Sequence, residues 1–246
     1  MFFIHIIPRL ICFTYINVWD LQIIGLIIYL KRWGCMMYIQ ITTRCNMSCQ
    51  HCCFSCTTQG EDMTIETFKK ALEHSDIISI GGGEPTLHPK FWEFVGISLG
   101  HTEYVWMATN GSNTNTALSL ATLARRGVMG VSLSQDPWHS EIDDRVINAF
   151  KKEEANNFLS VPNTHDQRGI SDVSEHGDPM FAGRCDWGHI GCACSDLLVK
   201  PSGEVKGCGC DDAPTFGNVN TEVIIPDSWE VGECWQYNKE KNETNN

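Results

Sequence analysis

Three cysteines, Cys45, Cys49 and Cys52, stand at the spacing C-x3-C-x2-C inside one short stretch. Three thiolates this close together can hold three irons of a cubane [4Fe-4S] cluster. Such a cluster normally takes four ligands, so one iron keeps an open coordination position where a ligand can bind and react. Two structural readings compete. Zinc sites usually pair cysteines as C-x2-C or C-x4-C and need four ligands, which fits the triplet poorly. A disulfide framework suits a small secreted domain in an oxidising compartment, whereas this chain has 246 residues and an odd 13 cysteines. Iron-sulfur ligation is preferred over both.

A second stretch has chemistry of its own. Gly81-Gly82-Gly83-Glu84-Pro85 combines three glycines, which allow close backbone approach to a ligand, with a carboxylate fixed beside that backbone. Alone it is weak, because a glycine-rich strand end is often only a turn. Its value comes from its register with what surrounds it.

The elements that must position these residues follow a regular succession. Residues 38–42 alternate and are rich in β-formers, so they read as a strand delivering the cysteine loop. Residues 64–74 have helical spacing (Phe68, Ala71, Leu72), with Thr64 and Glu66 as capping-type residues. Residues 76–80 are a short apolar run typical of a buried parallel strand, and that run ends in the glycines. Helices over 91–99, 117–126 and 143–152 alternate with strands over 104–108 and 130–133; a fifth strand is expected over 157–161. Strand, polar loop and helix in repetition predict parallel βα units, whose strand C-termini gather the site on one face. The cysteine triplet, the glycine run, Thr109-Asn110-Gly111 and residues 134–139 all fall at those ends.

Together these motifs resemble the radical S-adenosylmethionine superfamily. Cys45, Cys49 and Cys52, with His51 in the slot before the last cysteine, are followed one βα unit later by Gly82-Gly83-Glu84-Pro85; the resemblance covers about residues 37–160. It implies a partial, shortened (β/α) barrel whose open iron chelates S-adenosylmethionine. Gly82, Gly83 and Glu84 would hold the methionyl amino group, with Pro85 closing that loop, and His51 would lie near the adenine. Asn110, Ser132, Ser134 and Asp136 stand where the family contacts the ribose and methionyl groups. The reaction implied is reductive cleavage of S-adenosylmethionine to a 5'-deoxyadenosyl radical that takes hydrogen from a substrate. No acid or base is needed to make the radical, and no catalytic side chain beyond this site is identified. His139, after the strand end at Asp136-Pro137-Trp138, stands out among the loop histidines.

A further group, Cys185, Cys192, Cys194, Cys208, Cys210 and Cys234, lies in the last quarter of the chain. Residues 197–206 read as a β-hairpin turning at Pro201-Ser202-Gly203, flanked by these cysteines. Cys192-x10-Gly203-x4-Cys208, then Phe216-Gly217-Asn218-Val219, resembles the opening of a SPASM or twitch extension. The later cysteines of the full SPASM pattern are absent, which implies the twitch type with one auxiliary [4Fe-4S] cluster. Its ligands would be Cys192, Cys208 and Cys234, with Cys210, Cys194 or Cys185 as the fourth. A zinc knuckle or partly free thiols is the competing reading, since cysteines alone do not choose the metal.

The expected organisation is a doubtful hydrophobic leader over 1–35, the barrel over 36–161, a polar connecting loop over 162–184, the cysteine-rich extension over 185–236 and a polar tail over 237–246. The leader is either a mis-assigned start or a membrane anchor; Asp20 interrupts its apolar run. A net charge of −12 argues against binding bare nucleic acid through its phosphates. Cysteines acting as ligands imply a reducing, cytoplasmic compartment. The substrate expected is a peptide or protein side chain, with a small molecule or nucleoside as the alternative and a non-catalytic iron-sulfur or zinc metalloprotein as the further one. A reducing donor such as a flavodoxin or ferredoxin is the implied partner.

Overall fold

The computed structural model describes residues 37–152, 165–172, 183–184, 197–210 and 213–226. Five strands and four helices carry the first part of the chain: β1 (Met37–Thr42), α1 (Ile65–Leu72), β2 (Ile77–Gly82), α2 (Phe91–His101), β3 (Tyr104–Thr109), α3 (Thr114–Arg125), β4 (Gly130–Ser134), α4 (Asp144–Phe150) and β5 (Arg168–Ser171). Three further strands follow, β6 (Leu197–Val199), β7 (Glu204–Lys206) and β8 (Thr215–Asn218). All eight form one sheet in the order β5-β4-β3-β2-β1-β6-β7-β8. The pairings from β5 through β1 to β6 are parallel, and β7 and β8 are added antiparallel. The architecture is mixed α/β with an open, partial barrel-like sheet.

Alternation within each strand makes the two faces chemically different. Ile39 and Ile41, Ile78 and Ile80, Val105 and Met107, Val131 and Leu133 join one apolar core with Phe68, Phe94, Leu120, Val146 and Phe150 from the helices. The opposite positions, Tyr38, Ser79, Gly81, Trp106, Ala108 and Ser134, are polar, small or aromatic, and they line a cavity instead. Phe68 and Phe94 meet edge to face at 4.6 Å, locking α1 against α2. Thr64, expected from sequence to cap α1, accepts the N–H of Thr67; Asn113 and Asp143, not foreseen as caps, accept those of Thr116 and Arg145 at the starts of α3 and α4.

Two features differ from the sequence expectation. The connecting loop expected over 162–184 contains β5, whose residues pair with Val131–Ser134 of β4. Its four residues, Arg-Gly-Ile-Ser, are too few and too polar to show a strand period. Tertiary bonds hold the strand instead: the Arg168 guanidinium chelates Asp166 and donates to the Ala149 carbonyl at 2.6 Å. The strand expected over 157–161 lies outside the described residues. The 197–206 hairpin forms as expected, with Gly203 at φ 87° in its turn, where a side chain is disfavoured. It is not a separate layer, however, because β6 pairs in parallel with β1 and so continues the main sheet.

Among the described residues no helix is long and apolar enough to cross a membrane. The hydrophobic leader lies outside them.

Candidate functional site

The cavity over the C-terminal ends of β1 to β4 has a volume of about 370 Å³, and Cys45, Cys49 and Cys52 all line it. Their loop leaves β1 and is folded back on it. The Thr43 N–H donates to the Glu61 carbonyl, that of Cys45 to Thr57, and that of Met63 to Ile41. Arg44 chelates Asp62 through Nε and Nη2, at 3.1 and 2.7 Å, and Thr42 Oγ1 donates to the same carboxylate. Neither Asp62 nor Arg44 stands out in the sequence, because a polar pair 18 residues apart has no local signature.

The thiols feel one another. Burial, then the charges of Cys45 and Cys52, push Cys49 up to about 11. Burial likewise raises Cys45. Cys52 is lowered, chiefly by a hydrogen bond from the buried Cys56 thiol, which is raised in return. Crowded thiols that repel as thiolates are a donor set a cation would relieve, and cluster or metal binding must displace their protons.

The glycine run fits against this loop with no room to spare. Gly83 donates its N–H to the Thr42 carbonyl at 2.9 Å and Glu84 to that of Arg44 at 2.8 Å. A Cβ on Gly83 would stand 2.3 Å from the Arg44 carbonyl oxygen and 2.9 Å from Cys45 Cβ. At Gly82, φ is 153° and a Cβ would meet the Thr42 carbonyl oxygen. Pro85 opens a single 3₁₀ turn, Pro85–Leu87, capped by Glu84. Glu84 itself is buried. Its Oε1 accepts from Thr86 N, Thr86 Oγ1 and Thr109 Oγ1, and its Oε2 accepts from Asn110 N. Burial still raises its pKa despite these bonds. Among the described residues no cation pairs with Glu84, and Oε2 retains a free lone pair. A buried carboxylate in the cavity wall with that capacity fits a positively charged amino group.

Asn110 ties β3 to the cysteine loop: its Nδ2 donates to Asn46 Oδ1 at 3.0 Å and approaches Cys45 Sγ at 3.9 Å, and its Oδ1 accepts from Ser112. His51, Gly82, Gly83, Glu84, Pro85, Asn110 and Ser134 share the cavity, whereas Ser132 and Asp136 do not line it. Ser132 stands in β4 beside Gly169 of β5. Asp136 is buried behind the wall, its Oδ1 accepting the N–H groups of Trp138 and His139 and lying 2.7 Å from His139 Nδ1. His51 Nε2 is 3.8 Å from the other oxygen, Oδ2. Asp136 thus carries His51 and His139, both partly buried, against one carboxylate. Their donor types also match a mononuclear metal site, but the backbone bonds to Oδ1 are those of an ordinary loop-holding aspartate.

From the far end of the chain come two residues that sequence reasoning passed over. Arg184 reaches into the cysteine loop, and Gly209 stands in the cavity wall. Gly209 lies between Cys208 and Cys210, both buried, and Lys206 Nζ donates to the Cys210 carbonyl at 2.7 Å. Cys185, Cys192, Cys194 and Cys234 lie outside the described residues.

Comparison with known proteins bears on this geometry. The family model described as Radical SAM superfamily matches residues 39–158. A curated relative, the mycofactocin maturase MftC of Mycobacterium ulcerans, is 33% identical over 119 residues, which are 45% of this chain and 31% of that protein. Another, the tungsten-containing aldehyde ferredoxin oxidoreductase cofactor-modifying protein of Pyrococcus furiosus, is 35% identical over 115 residues, 41% of this chain and 30% of that one. The matched region therefore spans less than a third of either relative. Among solved structures, that of BtrN in complex with AdoMet and 2-DOIA superposes with a TM-score of 0.54 at 18% identity, covering 77% of this chain and 80% of the other, a likeness of fold.

Proposed function

From the match of residues 39–158 to the Radical SAM superfamily model we propose that the chain is a radical SAM enzyme that cleaves S-adenosylmethionine reductively and takes a hydrogen atom from a substrate. The observation that carries this reading is one cavity lined both by Cys45, Cys49 and Cys52 and by the buried Glu84, which no cation among the described residues pairs. Cys45, Cys49 and Cys52 would hold a [4Fe-4S] cluster, which would supply the electron for reductive cleavage of the carbon-sulfur bond of S-adenosylmethionine. The chain's own residues do the rest of the holding. Glu84 offers Oε2 to the methionyl amino group, and Gly82 and Gly83 let the backbone come close. His51 flanks the adenine side, and Asn110 and Ser134 offer polar groups to the ribose and methionyl parts. Ser132 and Asp136 act from behind, Asp136 by fixing the rings of His51 and His139. The largely apolar Phe54, Trp106 and Met47 and the ring of Tyr38 in the lining exclude water.

An auxiliary [4Fe-4S] cluster is part of the same proposal. Gly209, between Cys208 and Cys210, borders the cavity that holds the triplet, so a cluster bound there would sit beside the substrate path. Cys208, Cys210, Cys192 and Cys234 are its proposed ligands, with Cys185 and Cys194 as alternates, in a twitch or SPASM-like extension. Cysteines acting as cluster ligands suit a reducing, cytoplasmic compartment with a flavodoxin- or ferredoxin-type donor.

For the substrate we favour a peptide or protein side chain. Two relatives are named a maturase and a cofactor-modifying protein, names that both describe alteration of another molecule. Among the described residues the sheet is open, a form that suits a large one. Anaerobic reconstitution followed by iron and sulfide analysis and a reductant-driven assay for 5'-deoxyadenosine tests the proposal. About eight irons per chain support both clusters, and about four discard the auxiliary one, at four irons per cubane. A loaded chain that never yields 5'-deoxyadenosine overturns the enzyme reading.

A further inference from the structure

Arg184 is bound to the cysteine loop at three points. Its backbone N–H donates to the Cys52 carbonyl at 2.9 Å, its Nε to that of Cys49 at 3.2 Å and its Nη1 to that of Cys56 at 2.8 Å. The loop belongs to the first βα unit and Arg184 lies more than a hundred residues later, so this is a tertiary clasp. Carbonyls at three cysteine positions are held by one residue. Nη2 is buried and has no hydrogen-bond partner among the described residues, and the side chain lines the cavity. A guanidinium cannot shed its proton, so a full positive charge is fixed beside the thiols.

From this geometry we infer that Arg184 is a positioning residue for the cluster: it clamps the loop that carries Cys49 and Cys52, and its charge makes the bound cluster easier to reduce. The inference rests on the reading of Cys45, Cys49 and Cys52 as cluster ligands. Reduction by one electron, drawn from an external one-electron donor, adds one negative charge to the cluster and breaks no bond in it. A cation held nearby in a partly buried setting favours the more negative state. The unspent Nη2 donor is a group that a sulfur of the occupied site would satisfy. In a purely structural clasp the carbonyl bonds would matter and the charge would not, and that difference can be measured.

The experiment uses the full chain, reconstituted anaerobically with iron and sulfide, as wild type, Arg184→Gln and Arg184→Lys. Iron and sulfide are counted, folding is checked by thermal melting, and the midpoint potential is read by EPR during redox titration. The signal missing from a Cys45→Ala control identifies the cluster concerned. Arg184→Gln is expected to lower the reduction equilibrium at least tenfold, a shift of about 59 mV for one electron. Arg184→Lys, which keeps the charge and loses the fork, is expected to stay within about threefold of wild type and to shed iron faster on gel filtration. A glutamine form that titrates within twofold of wild type overturns the inference. Should that form hold no iron, the lysine form decides: loading with a wild-type potential supports the role of charge, and failure to load overturns it. Wild-type protein that takes up no iron sinks the cluster reading itself.

Discussion

The N–H of Asn110, at the end of β3, donates to Oε2 of Glu84, just past the end of β2, at 2.7 Å. With Thr109 Oγ1 on Oε1 at 2.9 Å, this makes one carboxylate the fastener between two neighbouring strand ends. The same carboxylate is offered to the cavity, so structure and proposed ligand binding share it. Substituting Glu84→Gln keeps the shape but turns an amide N–H₂ toward groups that themselves donate. The expected cost is about 1–3 kcal/mol of stability, read in a denaturant melt, together with a more than tenfold loss of S-adenosylmethionine affinity by calorimetry. Retention of full affinity would remove Glu84 from the proposed amino-group site.

Acidity provides an independent measurement of Glu84. Burial raises its folded pKa above the ordinary glutamate value, so the native chain binds this proton more readily than the unfolded one. Ionised Glu84 therefore costs stability above its folded pKa, and that cost disappears as pH falls toward 4.5, the reverse of a salt-bridged carboxylate. The difference in stability between wild type and Glu84→Gln should shift in favour of wild type as pH is lowered through this window. A difference that does not change with pH would show that Glu84 is not destabilised by its charge.

The pair Asp166–Arg168 has the opposite sign. The Arg168 guanidinium lowers Asp166, so the pair stabilises the fold above about 3.8 and that contribution is lost as pH falls through the lower, folded pKa. Both side chains are largely buried where α4 meets β5. Replacing Asp166→Asn leaves the buried guanidinium without its counter-charge and should cost about 3 kcal/mol. Hydrogen exchange should speed up first at residues 168–171, since β5 is at the edge of the sheet among the described residues.

Two glycines make a contrasting pair. Gly83→Ala drives a Cβ against the Arg44 carbonyl and Cys45 Cβ, so the loop must shift; a loss of about 1–3 kcal/mol and a reduced iron content after reconstitution are expected. Gly96 lies inside α2, and nothing stands within 4 Å of the place a Cβ would take there. Gly96→Ala should stabilise the chain by roughly 0.5–1 kcal/mol without changing iron content.

Cluster loading itself should depend on acidity. Cys49, raised to about 11 by burial and by its neighbours' charge, must give up its proton to bind iron. Reconstitution rate should therefore rise as pH increases through the neutral and mildly alkaline range. Cys49→Ser should abolish the iron of this site while leaving any iron bound by Cys208 and Cys210.

Local spacing made much of this protein readable. The cysteine triplet, the glycine run and four successive βα units follow from residues close in sequence, because ligand spacing, strand alternation and helical period all act over a few residues. Thr64, with helical spacing after it, marked a real cap. Tertiary structure alone decided the rest. The place of β6 beside β1 depends on which strand edge is free once β2 has paired, and a three-residue run holds no record of that. β5 pairs with β4 and is anchored by a guanidinium bound to a carboxylate and a carbonyl, and Arg184 finds the cysteine loop through backbone carbonyls. Every residue has a carbonyl, so nothing in the sequence of the acceptor marks it. The sequence by itself determined which groups could do chemistry; folding decided which face they share and which charge stands beside them.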